Sequence, residues 1–420
     1  MNKPELLSPA GNFNKLKIAF RYGADAVYVG GTVFGLRKYA ENFTDHELCD
    51  GISLANTLNK KVYLVLNGFA QNEDISDIVT HLKNLQNKIR PHAFIVSDIG
   101  VAHLAKQYTD IPIHISTQAS VTNIYGVAYW KERIGATRVI LAREVSLQDC
   151  RAISEMMEVE IFIHGAMCAS YSGKCVISNY ASGRDSNRGG CVQSCRHKYD
   201  VLDTKTHETQ FSSYIMNAKD LAGIAYVKDA IKANIASLKI EGRMKSEQYV
   251  ATTTSVYRDV IDYFCDSATM ATEKTLAFLK KAQSDLESVS HRPFSHGGLD
   301  ERMDGDSIRY NSSGYTKTSN YIGSILYSDA TGHILQSRQT WKAGSTLEAF
   351  QPGRHVLPFQ VTPRNLDGAA IETVSPNSLV WLPAKLPLAP LDVIRSPVTV
   401  SQAGGTGGGA PEKLSFAQQS

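Results

Sequence analysis

Eight short apolar runs alternate with longer amphipathic stretches from the start of the chain to about Arg243, and this rhythm constrains the fold more than any other feature. The runs cover residues 5–7, 26–30, 62–67, 93–97, 111–116, 138–142, 160–164 and 237–241. Between them lie stretches such as NFNKLKIAFRYG, DISDIVTHLKNLQNKI and NIYGVAYWKERIG, whose apolar residues recur at helical spacing. Strands that alternate with helices of this length build βαβ units on a parallel sheet. Eight repeats predict an α/β fold of the (β/α)8 or TIM type rather than an open doubly wound sheet.

That expectation divides the chain. Residues 1–265 form a barrel-like catalytic domain with a cysteine-rich insertion at 164–213, too long for an ordinary βα loop. Residues 266–320 are a helical and Gly/Ser-rich connector. Residues 321–402, with alternating segments such as TLEAF and SLVWLPA, read as a small β-barrel-like domain. Residues 403–420, which include GGTGGGAP, read as a disordered tail.

In such a barrel the reactive groups gather at the C-terminal ends of the strands. The polar residues at those run ends are Asn67, Asp98, Gln118 with Asn123, Arg143 with Glu144, His164, and Glu241 with Arg243. Asp98 and Asn123 have a simpler role open to them as helix N-caps. Arg143, Glu241 and Arg243 are harder to dismiss, because buried charges need partners.

The insertion holds four of the seven cysteines, spaced Cys168-x6-Cys175-x15-Cys191-x3-Cys195. The first residues, MNKPELLSPAGN, contain no apolar signal segment, and no run is long enough to span a membrane. The expected compartment is the cytoplasm, where thiols stay reduced and clustered cysteines mean metal or catalysis more often than disulfides. The irregular spacing suits an iron–sulfur cluster better than the paired knuckles of a zinc site, although zinc remains open. A nucleophilic Cys168 activated by His164 is the competing enzymatic idea. The net charge of +3 marks no general nucleic-acid binder, so any RNA-facing surface has to be a local basic patch.

The runs LLSPAGN, GADAVYVGG, EIFIHGAMC, GKCVIS, SGRDSNRGGCVQSCRHKY, MNAKDL and LKIEGRMKS are similar to those of the collagenase-like peptidase U-thirty-two family. The resemblance covers residues 4–260 and extends to the β domain. It implies an oxygen-independent hydroxylase carrying a 4Fe-4S cluster, with prephenate as co-substrate and hydroxyl source. Length and architecture resemble the branch that forms 5-hydroxyuridine at the wobble position of tRNA, so tRNA, through its anticodon loop, is the implied partner. A protein partner or a homo-oligomer is compatible with this, and no membrane is involved. The implied cluster ligands are Cys168, Cys175 and Cys191. The family pattern has a further cysteine where this chain has Ala222, and Cys195 is the candidate for the fourth place. The alternatives are a three-ligand or lost cluster in a non-catalytic RNA-binding paralogue, or a peptidase as the family name says. The sequence lacks H-E-x-x-H and G-x-S-x-G, the local protease signatures. Arg143, His164, Lys219, Glu241 and Arg243 are the expected catalytic residues. Arg184, Arg188, Arg196, Asn123 and Tyr171 are expected to bind substrate, since a dicarboxylate demands guanidinium partners and an unpaired base stacks on an aromatic ring.

Overall fold

A computed structural model describes residues 2–32, 41–266, 272–300 and 303–398. The proposed tail lies outside the described residues.

All eight apolar runs become strands of one parallel barrel. The first seven are β1 (Glu5–Pro9), β2 (Ala26–Gly30), β3 (Lys61–Leu66), β4 (Ala93–Val96), β5 (Ile113–Ile115), β6 (Arg138–Ile140) and β7 (Glu158–Ala166). Between β7 and the eighth stave come a hairpin, β8 (Tyr199–Leu202) with β9 (Thr209–Ser213), and the short β10 (Asp220–Ala222). The eighth stave is β11 (Ser237–Ile240). It pairs in parallel with β7 through Ser237↔Glu160 and with β1 through Glu5↔Ser237, which closes the ring.

Helices α1 (Phe13–Arg21), α2 (Asp45–Thr57), α3 (Ile75–Asn84), α4 (Ile99–Tyr108), α5 (Ile124–Tyr129) and α6 (Leu147–Ser154) follow the first six strands in turn. Their starts are written in the sequence. Asn12, Asp98, Asn123 and Ser146 each cap a first turn by accepting a backbone N–H, and Thr44 with Glu47 forms a capping box. The insertion carries the short α7 (Ile177–Ser182). Helix α8 (Val227–Lys232) leads into β11, and α9 (Glu247–Asp266) and α10 (Thr272–Glu287) complete the helical layer.

The connector is knit into the barrel. Its strand β12 (Phe294–Ser295) pairs with β10, which lies antiparallel along the end of β7. The chain then enters a six-stranded antiparallel sheet made of β13 (Ser319–Ser328), β14 (Gly332–Ser337), β16 (Thr346–Gln351), β17 (His355–Gln360), β19 (Leu379–Pro383) and β20 (Val393–Pro397). A short pair, β15 (Trp341–Lys342) with β18 (Thr373–Val374), accompanies it. This unit has its own core of Ile322, Ile325, Leu335, Leu347, Val380 and Ile394. It docks on α1, α9 and α10. The Tyr22 ring stacks on Phe350, Glu247 accepts from the Tyr321 and Ser324 hydroxyls, and Arg354 pairs with Asp259 and Asp285.

The barrel interior departs from the usual filling of branched aliphatics. Arg138 reaches Glu5 at 2.6 Å, Glu158 at 2.9 Å and Glu160 at 3.4 Å, and the Lys239 ammonium lies 2.9 Å from Glu160. Tyr63 and Ser237 donate further hydrogen bonds to Glu5. Such a network is stable only while every charge has its partner. Replacing Arg138 with Met removes the buried cation that Glu5 and Glu160 share, leaving Glu160 to Lys239 alone and Glu5 to two hydroxyls and the more distant Lys61. This should cost about 3 kcal/mol, read as a lowered denaturant midpoint. An unchanged midpoint would show that the network does not hold the barrel.

Candidate functional site

One cavity opens at the C-terminal ends of the strands, beneath the insertion. It is lined by Tyr28 of β2, Asn67 after β3, Thr117 and Gln118 after β5, Arg143 after β6, Phe162 of β7, Lys239 of β11, and Glu241 and Arg243 beyond it. The insertion supplies Cys168, Tyr171, Cys175, Cys191, Cys195 and Arg196. The four clustered cysteines therefore share one chamber, and all seven in the chain are free thiols.

Close backbone contacts hold the insertion in place. Gly173 has φ +74, and a Cβ there would stand 2.0 Å from the Gln118 carbonyl oxygen. Gly165 has φ +110, and a Cβ there would stand 2.3 Å from the Glu241 carbonyl oxygen. Only glycine fits either position. Ser172 ties the same segment to the β6 loop, donating its N–H to Glu144 and accepting the Arg143 N–H. Arg188 donates to the Phe69 carbonyl and to Asp74, which anchors the insertion to the loop after β3. Arg196 donates to Asn217 Oδ1 at 3.0 Å and to the carbonyls of Ala218 and Met167 at 2.7 and 2.5 Å.

The thiols sit in unlike environments. Burial pushes the Cys175 thiol up, but hydrogen bonds from Ser170, the Ile177 and Ser178 backbone and Ser186 outweigh it, and the net shift is down. Burial pushes Cys195 up; Arg196 opposes this, while Cys168, Cys191 and Cys175 add to it. Cys195 thus lies within electrostatic reach of the other three sulfurs, an arrangement a positive centre would relieve. Among the described residues no group of three or more His, Cys, Asp or Glu is placed to hold a single metal ion. A four-iron cluster makes a different demand, since each thiolate binds its own iron and the ligands surround the group. The donor set fits that group.

Cations and one carboxylate face the thiols. The Arg143 guanidinium lies 4.4 Å over the Phe162 ring, and among the described residues it has no ion pair and its buried Nε no hydrogen-bond partner. Lys239, held by Glu160, stands over Tyr28 at 4.5 Å and Phe162 at 5.5 Å. Arg243 is fixed through Asn42 and packs on Gly30, where a Cβ would lie 2.5 Å from the guanidinium. Glu241 accepts from the Tyr28 hydroxyl at 3.0 Å.

Several expected residues lie elsewhere. His164 is fully buried on the other side of β7, among Tyr249, Tyr257 and Phe294, with the Tyr257 hydroxyl 3.2 Å from Nδ1. The cause is a bulge: Lys239 pairs with Phe162 but Ile240 with His164, so one extra residue reverses the alternation. Lys219 does not line the cavity; its backbone N–H bonds Ser307 beside β10. Asn123 caps α5, Arg188 serves Asp74, and Arg184 is on the outer surface. Ala222, opposite His164 in the β10–β7 pairing, does not line the chamber. Tyr28, Thr117, Phe162 and Lys239 were not anticipated. Lys239 alone left a signal, as a cation in the middle of the apolar run SLKIE.

Burial lowers the His164 pKa to about 3, the imidazolium being disfavoured without solvent. A histidine whose folded pKa lies below its unfolded value stabilises the fold fully above pH ~6.5, and that contribution fades as pH falls toward 3. His164 alone should remove about 2 kcal/mol between pH 7 and pH 5. His164→Phe should flatten this part of the stability–pH curve, and an unaltered slope would refute the assignment.

A family model described as peptidase family U32 matches residues 11–309. The chain is 40% identical to tRNA hydroxylation protein P1 of Bacillus subtilis over 366 residues, 83% of this chain and 84% of that protein. It is 33% identical to tRNA hydroxylation protein P of Escherichia coli over 91% of this chain and 94% of that protein. It is 30% identical to a collagenase of Porphyromonas gingivalis over 77% and 80% of the two chains. The chain belongs to peptidase family U32.

Proposed function

We propose that this protein is an RNA-modifying enzyme that hydroxylates tRNA, forming 5-hydroxyuridine at the wobble position with prephenate as hydroxyl source. The observation that carries the reading is the single chamber in which four free thiols face Arg143, Lys239, Glu241 and Arg243. The names of the relatives from B. subtilis and E. coli support the substrate class.

In this reading Cys168, Cys175, Cys191 and Cys195 hold a 4Fe-4S cluster. When bound, that group supplies one-electron redox capacity. The chain's own residues bind, orient and move protons. Arg143 and Arg243 receive the carboxylates of the co-substrate, since a guanidinium presents paired donors to a carboxylate. Lys239 adds positive charge on the chamber floor, where burial in low dielectric strengthens it. Glu241, oriented by Tyr28, takes the proton from the pyrimidine carbon. The C–H electron pair becomes the new C–O bond, and the C–O bond of the co-substrate breaks with its electron pair left on the co-substrate, which is the two-electron oxidant. The insertion covers the barrel mouth and limits the access of water.

The collagenase relative favours a peptidase as the second reading. A thiol peptidase needs a histidine beside its cysteine. Among the described residues no histidine lines the chamber, and His164 is sealed behind β7.

Anaerobic purification should give a brown protein with about four irons per chain, and Cys195→Ser should lower the iron content while Ala222→Ser leaves it unchanged. Deletion of the gene should erase 5-hydroxyuridine from digested bulk tRNA, with restoration by a plasmid copy. Full retention of that nucleoside in the deletion strain would overturn the function.

A further inference from the structure

The rim of the chamber carries a surface that neither the barrel nor the thiols require. Tyr171, Val176 and Tyr180 lie within ten residues and are 53%, 51% and 89% exposed. Single exposed apolar residues are ordinary on any protein. Three on one insertion, bordering one cavity, are not: Tyr171 itself lines the chamber, as do Ile177 and Ser178 of α7, the helix that carries Tyr180.

The charge of this segment is one-sided. From Cys168 to Tyr199 there are five Lys or Arg and one Asp, in a chain whose net charge is only +3. Arg188 and Arg196 are committed to Asp74 and to carbonyl oxygens. Lys174, Arg184 and Lys198 are exposed. Exposed aromatic faces interleaved with cations are what a single strand of nucleic acid requires: rings for its bases, charges for its phosphates. A duplex, whose bases are already stacked, has no use for the rings.

We infer that the outer face of the insertion is the docking surface for an unpaired RNA loop, with bases stacked on Tyr180 and Tyr171 and phosphates met by Lys174, Arg184 and Lys198. This rests on the reading of the protein as an RNA-modifying enzyme and adds the place where the RNA binds. Stacking outside the chamber would hold the strand while one base enters beneath the insertion.

The test uses the full chain, purified anaerobically, and a fluorescently labelled tRNA anticodon stem-loop, with a fully paired duplex of the same stem as control. The wild type should bind the stem-loop more tightly than the duplex. Tyr180→Ala should weaken stem-loop binding about tenfold through loss of one stacked base, while Tyr180→Phe keeps it. A Lys174→Glu, Arg184→Glu double variant should weaken binding and flatten its salt dependence by about two units of log–log slope. Because these side chains are exposed, iron content and denaturant midpoint should match the wild type, which separates lost contacts from lost folding. If the wild type binds the stem-loop and all variants bind it equally well, the docking surface is wrong and the functional reading stands. If the variants keep RNA affinity but fail to restore 5-hydroxyuridine in the deletion strain, the face serves a protein partner and the inference is overturned. If the wild type binds no RNA and restores no modification, the functional reading falls with it.

Discussion

The side chain on which the site most depends is one that performs no chemistry. Arg196 gathers the Met167 carbonyl at the end of β7, and Asn217 with the Ala218 carbonyl just before β10, around a single guanidinium. Cys168 follows Met167 directly, and Cys195 precedes Arg196. The same cation that satisfies orphaned carbonyls therefore sets two thiols against the barrel mouth. Backbone oxygens bind it without neutralising it, so its charge remains available to offset thiolates nearby. The glycines at 165 and 173 make the same point through absence, since contacts at 2.0–2.3 Å from a notional Cβ mean that the insertion touches the barrel with its backbone.

The polar barrel interior connects to this arrangement from below. Arg138, Glu160 and Lys239 form a chain of alternating charge that ends at the chamber floor, where Lys239 meets Tyr28 and Phe162. An aliphatic interior would pack as well or better, but it would not deliver a fixed ammonium group to the floor. Phe162 contacts both that ammonium and the Arg143 guanidinium, so one ring helps to place two cations. Stability and function meet in these residues.

Much of this was legible in advance, for reasons that can be named. The staves were visible because strands buried on both faces read as apolar runs, and the caps Asp98 and Asn123 mark where two of the helices begin. The four cysteines were visible as a group because reduced thiols rarely cluster without a purpose. What stayed hidden depends on register and long-range contact. Counting by twos along β7 places His164 on the inner face with Glu160 and Phe162, and a bulge of one residue carries it to the other side. Arg184, Arg188 and Arg196 look equivalent in SGRDSNRGGCVQSCR, yet one is exposed, one serves Asp74 across the mouth, and one lines the chamber. Composition cannot rank them, because their partners lie up to 119 residues away.

The β12–β10 pairing, finally, sets where this protein can be cut. Asp220 and Arg292 are both almost wholly buried and paired to each other, and the Arg292 backbone N–H bonds the same carboxylate. Asp220 belongs to the strand that edges β7, whereas Arg292 arrives only after α10. A chain ending near Cys265 would retain all eight staves and all four clustered thiols, yet it would strand a buried carboxylate beside them. The smallest self-sufficient unit is therefore longer than the barrel it contains. Domain borders drawn from composition and domain borders drawn from satisfied charge do not coincide in this molecule.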